Sequence, residues 1–301
     1  MLRKFGAFFS LLVLLGGTIY LLQQWRLFQR IPKNYEWNSL QAYLSTQAYE
    51  NDLILFEPSW LVGYAQVHGR LTQFSVVTGR ELFKNFYPPS SKLWLISLLR
   101  NSPLAEHLEK SGFIPEGPQS IHSIFLIPFR IPQRNVLYDF NQNLPKASAF
   151  FDYGDGRIAE GMWKDNAWIF PQFPDSEWWH KVAITPTNFR RQGTRRCIWF
   201  HPLETAVKKL EYREVPLGNR IELFGGIADS GVRMPPGGPV YLSIQINGEK
   251  VATLEFRDTD STFQHLVETS SFSGKTARVT FQVQTSEQAW RHFCFSAWSE
   301  S

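Results

Sequence analysis

Residues 240–257, VYLSIQINGEKVATLEFR, decide the fold of the C-terminal half of this 301-residue chain. Apolar and polar residues alternate on both sides of Asn247-Gly248. An Asn-Gly pair between two alternating segments is the strongest short sequence signal of a β-hairpin. About six or seven alternating segments separated by turn residues lie between residues 161 and 299, and they predict a β-sandwich or jelly roll.

The next alternating segment, ARVTFQVQT at residues 277–285, predicts a strand that turns Val279, Phe281 and Val283 to one face. Upstream of the sandwich segments, residues 133–157 are rich in Asn, Gln, Pro and Gly, which is typical of a domain boundary. We therefore predict a β-sandwich domain over residues 136–301.

Short apolar runs alternate with helical segments in the preceding part of the chain, residues 31–135. This pattern predicts a small α/β, Rossmann-like domain. Asn38 or Ser39 is the expected cap of its first helix, and Pro103 with Gly112 brackets its last. The predicted strands are residues 53–57, 73–77, 92–99 and 123–129, and the predicted helices are residues 38–50, 59–69, 78–86 and 103–111.

The chain begins with a hydrophobic segment, residues 5–22 (FGAFFSLLVLLGGTIYLL), which carries no charge. Its length is at the low end of the roughly 17–25 residues of a transmembrane helix. A cleaved signal peptide is the alternative, but no small-residue cleavage site comes after Leu22, which favours an uncleaved signal-anchor within residues 1–30. The sequence thus predicts an α+β multi-domain protein with an N-terminal transmembrane helix, an α/β domain and a β-sandwich.

The basic residues that flank this segment are nearly balanced, so they do not set its orientation. We predict a single-pass membrane protein whose folded domains are periplasmic or extracellular, because a short N-terminal anchor normally exports the domains that come after it. A cytoplasmic body is the alternative. The net charge of +4 comes without a long basic block, and this excludes a nucleic-acid partner.

Only two cysteines occur, Cys197 and Cys294, and each falls within a predicted strand near one end of the sandwich domain. A disulfide between them and two buried free thiols are both open alternatives, because sequence does not give the geometry. No Cys or His cluster has zinc spacing, so we predict no metal and no cofactor.

One cluster of aromatic and polar residues is the candidate ligand site. Flat aromatic rings pack on sugar rings, while carboxylates hold hydroxyl groups. The alternative is that these rings fill the sandwich core or the seam between domains. The cluster consists of Trp163, Trp168, Asp175, Glu177, Trp178, Trp179 and His180.

No residue is predicted to be catalytic. Glu57 ends the first predicted strand, where open α/β sheets line ligand crevices, but a carboxylate at a helix start explains it equally well. Asp152 and Asp155 lie in the turn FDYGDGR, which has too few acidic residues for a typical calcium loop.

Two family resemblances add to this interpretation. Asn51-Asp52, LILFEPSW and KLWLISL, within residues 38–132, resemble the extracytoplasmic domain of lipid-phosphate-sugar-dependent glycosyltransferases related to protein mannosyltransferases. In that family the catalytic acidic residues lie within a bundle of many transmembrane helices. This chain has one hydrophobic segment, so the resemblance implies an accessory part without the transferase.

Residues 155–299 resemble jelly-roll modules, often carbohydrate-binding, that are attached to glycan enzymes. Arg196-Cys197-Ile198-Trp199, VPLG at 215–218 and GGIAD at 225–229 carry this resemblance. Together the observations predict a non-catalytic, membrane-anchored accessory protein of glycan assembly or export. Its expected partners are the membrane, a glycan or lipid-linked sugar, and a membrane protein of polysaccharide synthesis. A glycan-active enzyme and a structural subunit of an envelope complex are the alternatives.

Overall fold

The computed structural model describes residues 13–23, 25, 31–49, 52–67, 71, 74–79, 82, 87, 92–173, 179–189, 193–229, 237–258 and 264–301. Residues 13–23 are helical, and the first part of the predicted transmembrane segment, residues 5–12, lies outside the described residues. Within the described part, none of the helices has the length and apolar character needed to cross a membrane.

The chain divides into two compact units. The first comprises residues 1–48, 56–71 and 94–130, and the second comprises residues 49–55, 72–93 and 131–301. The domain boundaries expected from the sequence, at residues 30/31 and 135/136, stay predictions.

Helices and short strands alternate up to residue 110, as the sequence predicts, and three strands follow in succession where the sequence predicts one. The strands form a sheet with the order β2-β1-β3-β6-β4, and β5 pairs with β6. β1 and β2 are parallel, whereas β4 and β5 run antiparallel to β6, so the sheet is mixed and a Rossmann-like arrangement is not shown. The elements are α1 (Asn34–Gln47), β1 (Leu53–Glu57), α2 (Leu61–Val67), β2 (Ser75–Val76), β3 (Lys92–Ser97), α3 (Pro103–Lys110), β4 (Ile114–Pro115), β5 (Gln119–Ile121) and β6 (Ile124–Arg130).

Capping explains where two of the helices start. The sequence predicts a first helix that begins at Asn38 or Ser39, but the helix begins at Asn34 because the Glu36 carboxylate accepts the Lys33 backbone N–H at 2.7 Å. In α3 the Ser102 hydroxyl accepts the Ala105 N–H at 2.9 Å, and Pro103 occupies the first turn. Most of the predicted helix at residues 78–86 lies outside the described residues.

From residue 136 onward the chain forms two sheets of antiparallel strands, as the hairpin and alternation signals predict. The first sheet has the order β10-β11-β12-β13-β20-β15-β18, with β7 on β20, and the second has the order β17-β16-β19-β14-β8-β9. The strands are β7 (Val136–Asp139), β8 (Ser148–Asp152), β9 (Ile158–Glu160), β10 (Met162–Lys164), β11 (Ala167–Ile169), β12 (Val182–Phe189), β13 (Gly193–Trp199), β14 (Val207–Pro216), β15 (Arg220–Ile227), β16 (Val240–Ile246), β17 (Glu249–Phe256), β18 (Gln264–Glu268), β19 (Thr276–Thr285) and β20 (Phe293–Glu300).

The Asn-Gly signal marks the turn that joins β16 to β17. Asn247 and Gly248 both have positive φ, 53° and 90°, as a two-residue hairpin turn with right-handed strand twist requires. The predicted face of β19 is also found, since Val279, Phe281 and Val283 are fully buried in the sandwich core. Large aromatic side chains fill much of this core, including the fully buried Phe140 and Phe151.

Cys197 and Cys294 are joined by a disulfide, with an S–S distance of 2.17 Å and a Cα–Cα distance of 5.8 Å. They lie on β13 and β20, which are neighbours in the first sheet, so the fold brings the two thiols together. The disulfide is buried in a small cluster with Phe189, Phe224 and Trp298.

Candidate functional site

A cavity of about 440 Å³ opens at one end of the second sheet, and we call it the end pocket. Its walls come from residues 152–154, 203–207 and 284–286, together with Tyr241. The volume lies within the roughly 300–1,000 Å³ of small-ligand sites. All of these wall residues belong to the second unit.

Strand register explains why these distant residues meet. Val207 of β14 lies opposite Asp152 of β8, and Gln284 of β19 lies opposite Tyr241 of β16. Lys208 is paired with Val283, which places Gln284 beside Val207 in the same row of the sheet. Residues directly opposite one another in antiparallel strands point to the same face. Asp152, Gln284 and Tyr241 therefore stand on one outward-facing row.

Asp152 is the best-fixed acceptor in the end pocket. Its Oδ2 atom lies 2.8 Å from Nζ of Lys209, and its Oδ1 atom accepts the Gly154 backbone N–H at 2.9 Å. The hydrogen bond from Lys209 and then that from Gly154 lower the pKa of Asp152 below its ordinary value of 3.8. This carboxylate is therefore charged at neutral pH and held in one orientation.

Two tyrosine rings supply the aromatic surface of the end pocket. Tyr241 is half-buried on β16, and Tyr153 is half-buried beside the sandwich core. The Arg157 guanidinium lies over the Tyr153 ring, 4.9 Å from the ring centroid. A contact with the ring face restrains the ring and does not use the hydroxyl group as a hydrogen-bond partner.

The remaining wall is braced by hydrogen bonds. The backbone N–H of Gln288 donates to the Glu204 carboxylate at 2.6 Å, and the Glu204 N–H donates to the Gln288 side chain at 3.2 Å. Thr285 Oγ1 accepts the Glu287 N–H at 3.2 Å and donates to the Pro239 carbonyl at 3.0 Å. Segments 203–207 and 284–286 are thereby tied to their neighbours.

A buried lysine lies directly behind the end pocket, next to Val207. Nζ of Lys208 donates to the carbonyls of His180 at 2.7 Å and His201 at 3.2 Å. The rings of Phe151, Phe170 and Phe200 surround it at 5.2–5.7 Å. Burial lowers the pKa of Lys208 well below its ordinary value, and burial likewise lowers the pKa of His201 to about 2.

The tryptophan cluster predicted from the sequence is placed partly in the core. Trp163 and Trp168 face each other across β10 and β11 with their rings edge to face, 5.5 Å apart, and both pack against the sandwich core. Trp168 Nε1 donates to the Leu144 carbonyl at 3.1 Å. This arrangement favours the core-packing alternative for the pair.

The other predicted residues of the cluster divide into two groups. His180 is buried and stacks on Phe173 at 4.0 Å, while the Trp179 carbonyl accepts a hydrogen bond from Trp199 Nε1 at 2.9 Å. Asp175, Glu177 and Trp178 lie outside the described residues.

Glu57 has a helix-start role in the first unit. Its Oε1 atom accepts the Leu104 N–H of α3 at 3.1 Å, and its Oε2 atom accepts the Ser97 hydroxyl at 3.0 Å. Asp155 is likewise engaged locally, with Arg157 at 2.8 Å. Within the described ranges, no group of three or more His, Cys, Asp or Glu side chains is placed to hold a metal ion.

A second cavity, of about 260 Å³, is lined in part by Tyr87, Arg134, Arg220 and Glu300. Arg134 forms ion pairs with both Glu222 and Glu300, and Arg220 pairs with the same two carboxylates at 3.0 and 2.9 Å. Because each carboxylate is held by two guanidinium groups, this network fits a structural role better than proton transfer.

Comparisons with known proteins return weak structural matches only. No family model matches the chain, and no curated protein matches its sequence. The domain of the glycosyltransferases that residues 38–132 resemble therefore gains no support from either comparison.

Similar solved structures include carbohydrate-binding modules. The CBM51-2 and INT domains of ZmpB from Clostridium perfringens match 39% of this chain and 26% of theirs, at 12% identity and a TM-score of 0.31. CBM51 of a C. perfringens GH95 protein, solved with methyl-galactose, matches 39% of this chain and 81% of its own at 12% identity and a TM-score of 0.29. The CBM22-1–GH10 modules of Clostridium thermocellum Xyn10B, solved with xylohexaose, match 56% of this chain and 29% of theirs at 10% identity and a TM-score of 0.29.

Proposed function

We propose that the β-sandwich of this chain binds a glycan in the end pocket. The observation that carries this proposal is the combination of two tyrosine rings with fixed polar groups in one cavity of about 440 Å³. Sugar rings present an apolar face and a rim of hydroxyl groups, so a site for them needs both kinds of surface.

The polar groups of the end pocket suit pairs of hydroxyl groups. The Asp152 carboxylate accepts hydrogen bonds, whereas the Gln284 side-chain amide both donates and accepts them. Asp152 is held by Lys209 and Gly154, which limits the conformational entropy that it loses when a ligand binds. A preformed acceptor and an amide on the same outward-facing row, with Val207 of β14 between them, thus favour a neutral, hydroxyl-rich ligand.

Retention on immobilised polysaccharides tests the site. We expect the full chain to be retained by at least one polymer of a neutral glycan panel, and Tyr241→Ala or Asp152→Asn to reduce retention at least about tenfold. Trp163→Phe is the control, because Trp163 belongs to the core-packed pair rather than to the end pocket. If Tyr241→Ala and Asp152→Asn are both retained as well as the wild type, or if the control Trp163→Phe is not retained, the binding site lies elsewhere.

We further propose that the protein is a membrane-anchored, extracytoplasmic accessory component of glycan assembly or export, without catalytic activity. The uncharged segment at residues 5–22 and the Cys197–Cys294 disulfide support this, because structural disulfides persist in oxidising compartments. A membrane protein of polysaccharide synthesis is the expected partner.

The same experiment distinguishes an enzyme from a binding module, because an enzyme would hydrolyse the polymer that retains it. Hydrolysis of a retained polymer by the wild-type chain, abolished by both Asp152→Asn and Glu204→Gln, would identify an enzyme instead of a binding module. We expect retention without hydrolysis, because the Asp152 carboxylate is already paired with Lys209 and has a lowered pKa.

A further inference from the structure

The charges around the end pocket are unevenly compensated. None of the described residues that line it is basic, while Asp152 and Glu204 are acidic. Asp152 is neutralised by Lys209 at 2.8 Å. Glu204, by contrast, accepts the backbone N–H of Gln288, which carries no charge.

A second carboxylate next to the wall behaves in the same way. Glu287 comes directly after the lining residue Ser286, and its Oε2 atom accepts the Gly238 backbone N–H at 2.7 Å. On the opposite side, Asp155 is compensated by Arg157 at 2.8 Å. The outer side chains named here, four carboxylates with two basic partners, therefore carry a net negative charge, although the whole chain carries a formal charge of +4.

A negative rim acts on a ligand before any hydrogen bond forms. Like charges that approach within a Debye length, about 8–10 Å at physiological salt, repel each other, and a partly enclosed site screens them less than open water does. A uronate, sulfate or phosphate group brought to Glu204 would meet this repulsion, and the two basic side chains that contact lining residues, Lys209 and Arg157, are already paired with Asp152 and Asp155.

The geometry points to a pocket that takes uncharged sugar residues and excludes uronic acid, sulfated and phosphorylated ones. This inference rests on the proposed glycan-binding function. Selection of this kind works by an unfavourable interaction with the wrong ligand as much as by contacts with the right one. In this proposal the Glu204 carboxylate repels acidic sugars, and the Asp152 carboxylate accepts hydrogen bonds from the sugar hydroxyl groups.

Matched pairs of polymers test the inference with the full chain. The probes are galactan with polygalacturonate, mannan with polymannuronate, and dextran with dextran sulfate, each immobilised at equal density. We expect the neutral member of a pair to retain the protein and the acidic member to retain it at least about tenfold less. Raising the salt concentration should narrow this gap, because salt screens the repulsion.

Two variants locate the origin of the selectivity. Glu204→Gln keeps the hydrogen-bond acceptor for Gln288 and removes the charge, so it should raise retention on the acidic member relative to retention on the neutral member. Glu249→Gln is the control, since Glu249 is an exposed carboxylate opposite Ile246, at the end of β16 that is far from Tyr241.

Each outcome bears on one of the two proposals. Absence of retention by every neutral and acidic polymer overturns glycan binding itself. Retention by acidic polymers equal to or greater than that by their neutral partners leaves glycan binding standing and overturns the selectivity. Selectivity that is unchanged in Glu204→Gln, or lost in Glu249→Gln, overturns the assignment of the exclusion to Glu204.

Discussion

Lys208 and Lys209 are neighbours on β14 with opposite surroundings. Nζ of Lys208 lies inside the sandwich among carbonyl groups and phenyl rings, whereas Nζ of Lys209 lies on the outer face and pairs with Asp152 at 2.8 Å. Successive residues of a strand point to opposite faces, so one dipeptide serves both the core and the end pocket.

Replacing the inner lysine should destabilise the fold. Lys208→Met removes the donor to the His180 and His201 carbonyls, and leaving such buried groups unpaired costs about 1–3 kcal/mol. We expect urea unfolding near pH 10.5 to show a loss of that size. The control, Lys209→Met, changes the neighbouring lysine on the outer face and should lower the free energy of unfolding by under about 1 kcal/mol. Equal stability of the wild type and Lys208→Met would contradict this role.

The same lysine predicts a dependence of stability on pH. The pKa of Lys208 is lowered by burial, so between its folded pKa and the ordinary value of 10.5 the unfolded chain binds more protons than the folded chain. The contribution of Lys208 is present above 10.5 and is lost as the pH falls through the folded pKa. The free energy of unfolding, compared with that of Lys208→Met, should therefore rise with pH toward 10.5; a constant difference would argue against it.

Asp152 gives the end pocket a wide working range of pH. Its pKa is lowered below 3.8, chiefly by the hydrogen bond from Lys209, so glycan retention by the wild type should be flat down to about that pH. Removing the ammonium group in Lys209→Met should move the acid limb of the retention curve to higher pH. An unchanged acid limb would show that Asp152 ionisation does not govern binding.

The Cys197–Cys294 disulfide should contribute measurably to stability. It closes a loop with a sequence separation of 97, and disulfides of this kind typically contribute about 2–4 kcal/mol. Thermal unfolding of the wild type with and without reductant should show the loss, and a double Cys197→Ala, Cys294→Ala variant should not respond to reductant. If reductant also leaves the thermal unfolding of the wild type unchanged, the disulfide does not stabilise the fold by this amount.

The hairpin turn should be sensitive to the loss of its glycine. Gly248 has a φ of 90°, where a Cβ atom is strained, so Gly248→Ala should lower the free energy of unfolding by about 1–2 kcal/mol. The matched control is Gly63→Ala in α2, where an added Cβ meets nothing within 4 Å and alanine is the better helix former. The two variants should shift chemical unfolding in opposite directions.

The sandwich could be predicted from the sequence because its signals are local. Asn247-Gly248 marks a turn by conformation alone, and the alternation around Phe281 marks a buried face. The predicted start of α1 is wrong by four residues. The N-cap is Lys33, which is not one of the usual N-cap residues, and the Glu36 side chain accepts a hydrogen bond from its backbone N–H.

The end pocket could not be predicted in the same way. Tyr241, Gln284 and Asp152 come from three separate strands and meet only through register, which depends on the pairing of the whole sheet. Each looks like an ordinary outward-facing strand residue when seen alone. The tryptophans stand out more in the sequence, yet Trp163 and Trp168 pack against the core. Polar residues at equivalent positions of neighbouring strands are the signal that could have found the site.

The alternation of β14 and β19 also has a consequence for how this protein can change over time. The residues of the proposed ligand site lie on the outer face, and those that form the core lie on the inner face of the same strands. Substitutions at Gln284 or Tyr241 therefore leave inner neighbours such as Val283 and Leu242 untouched. Natural drift or a laboratory library confined to the outer row can therefore vary the proposed ligand site while the core packing stays constant.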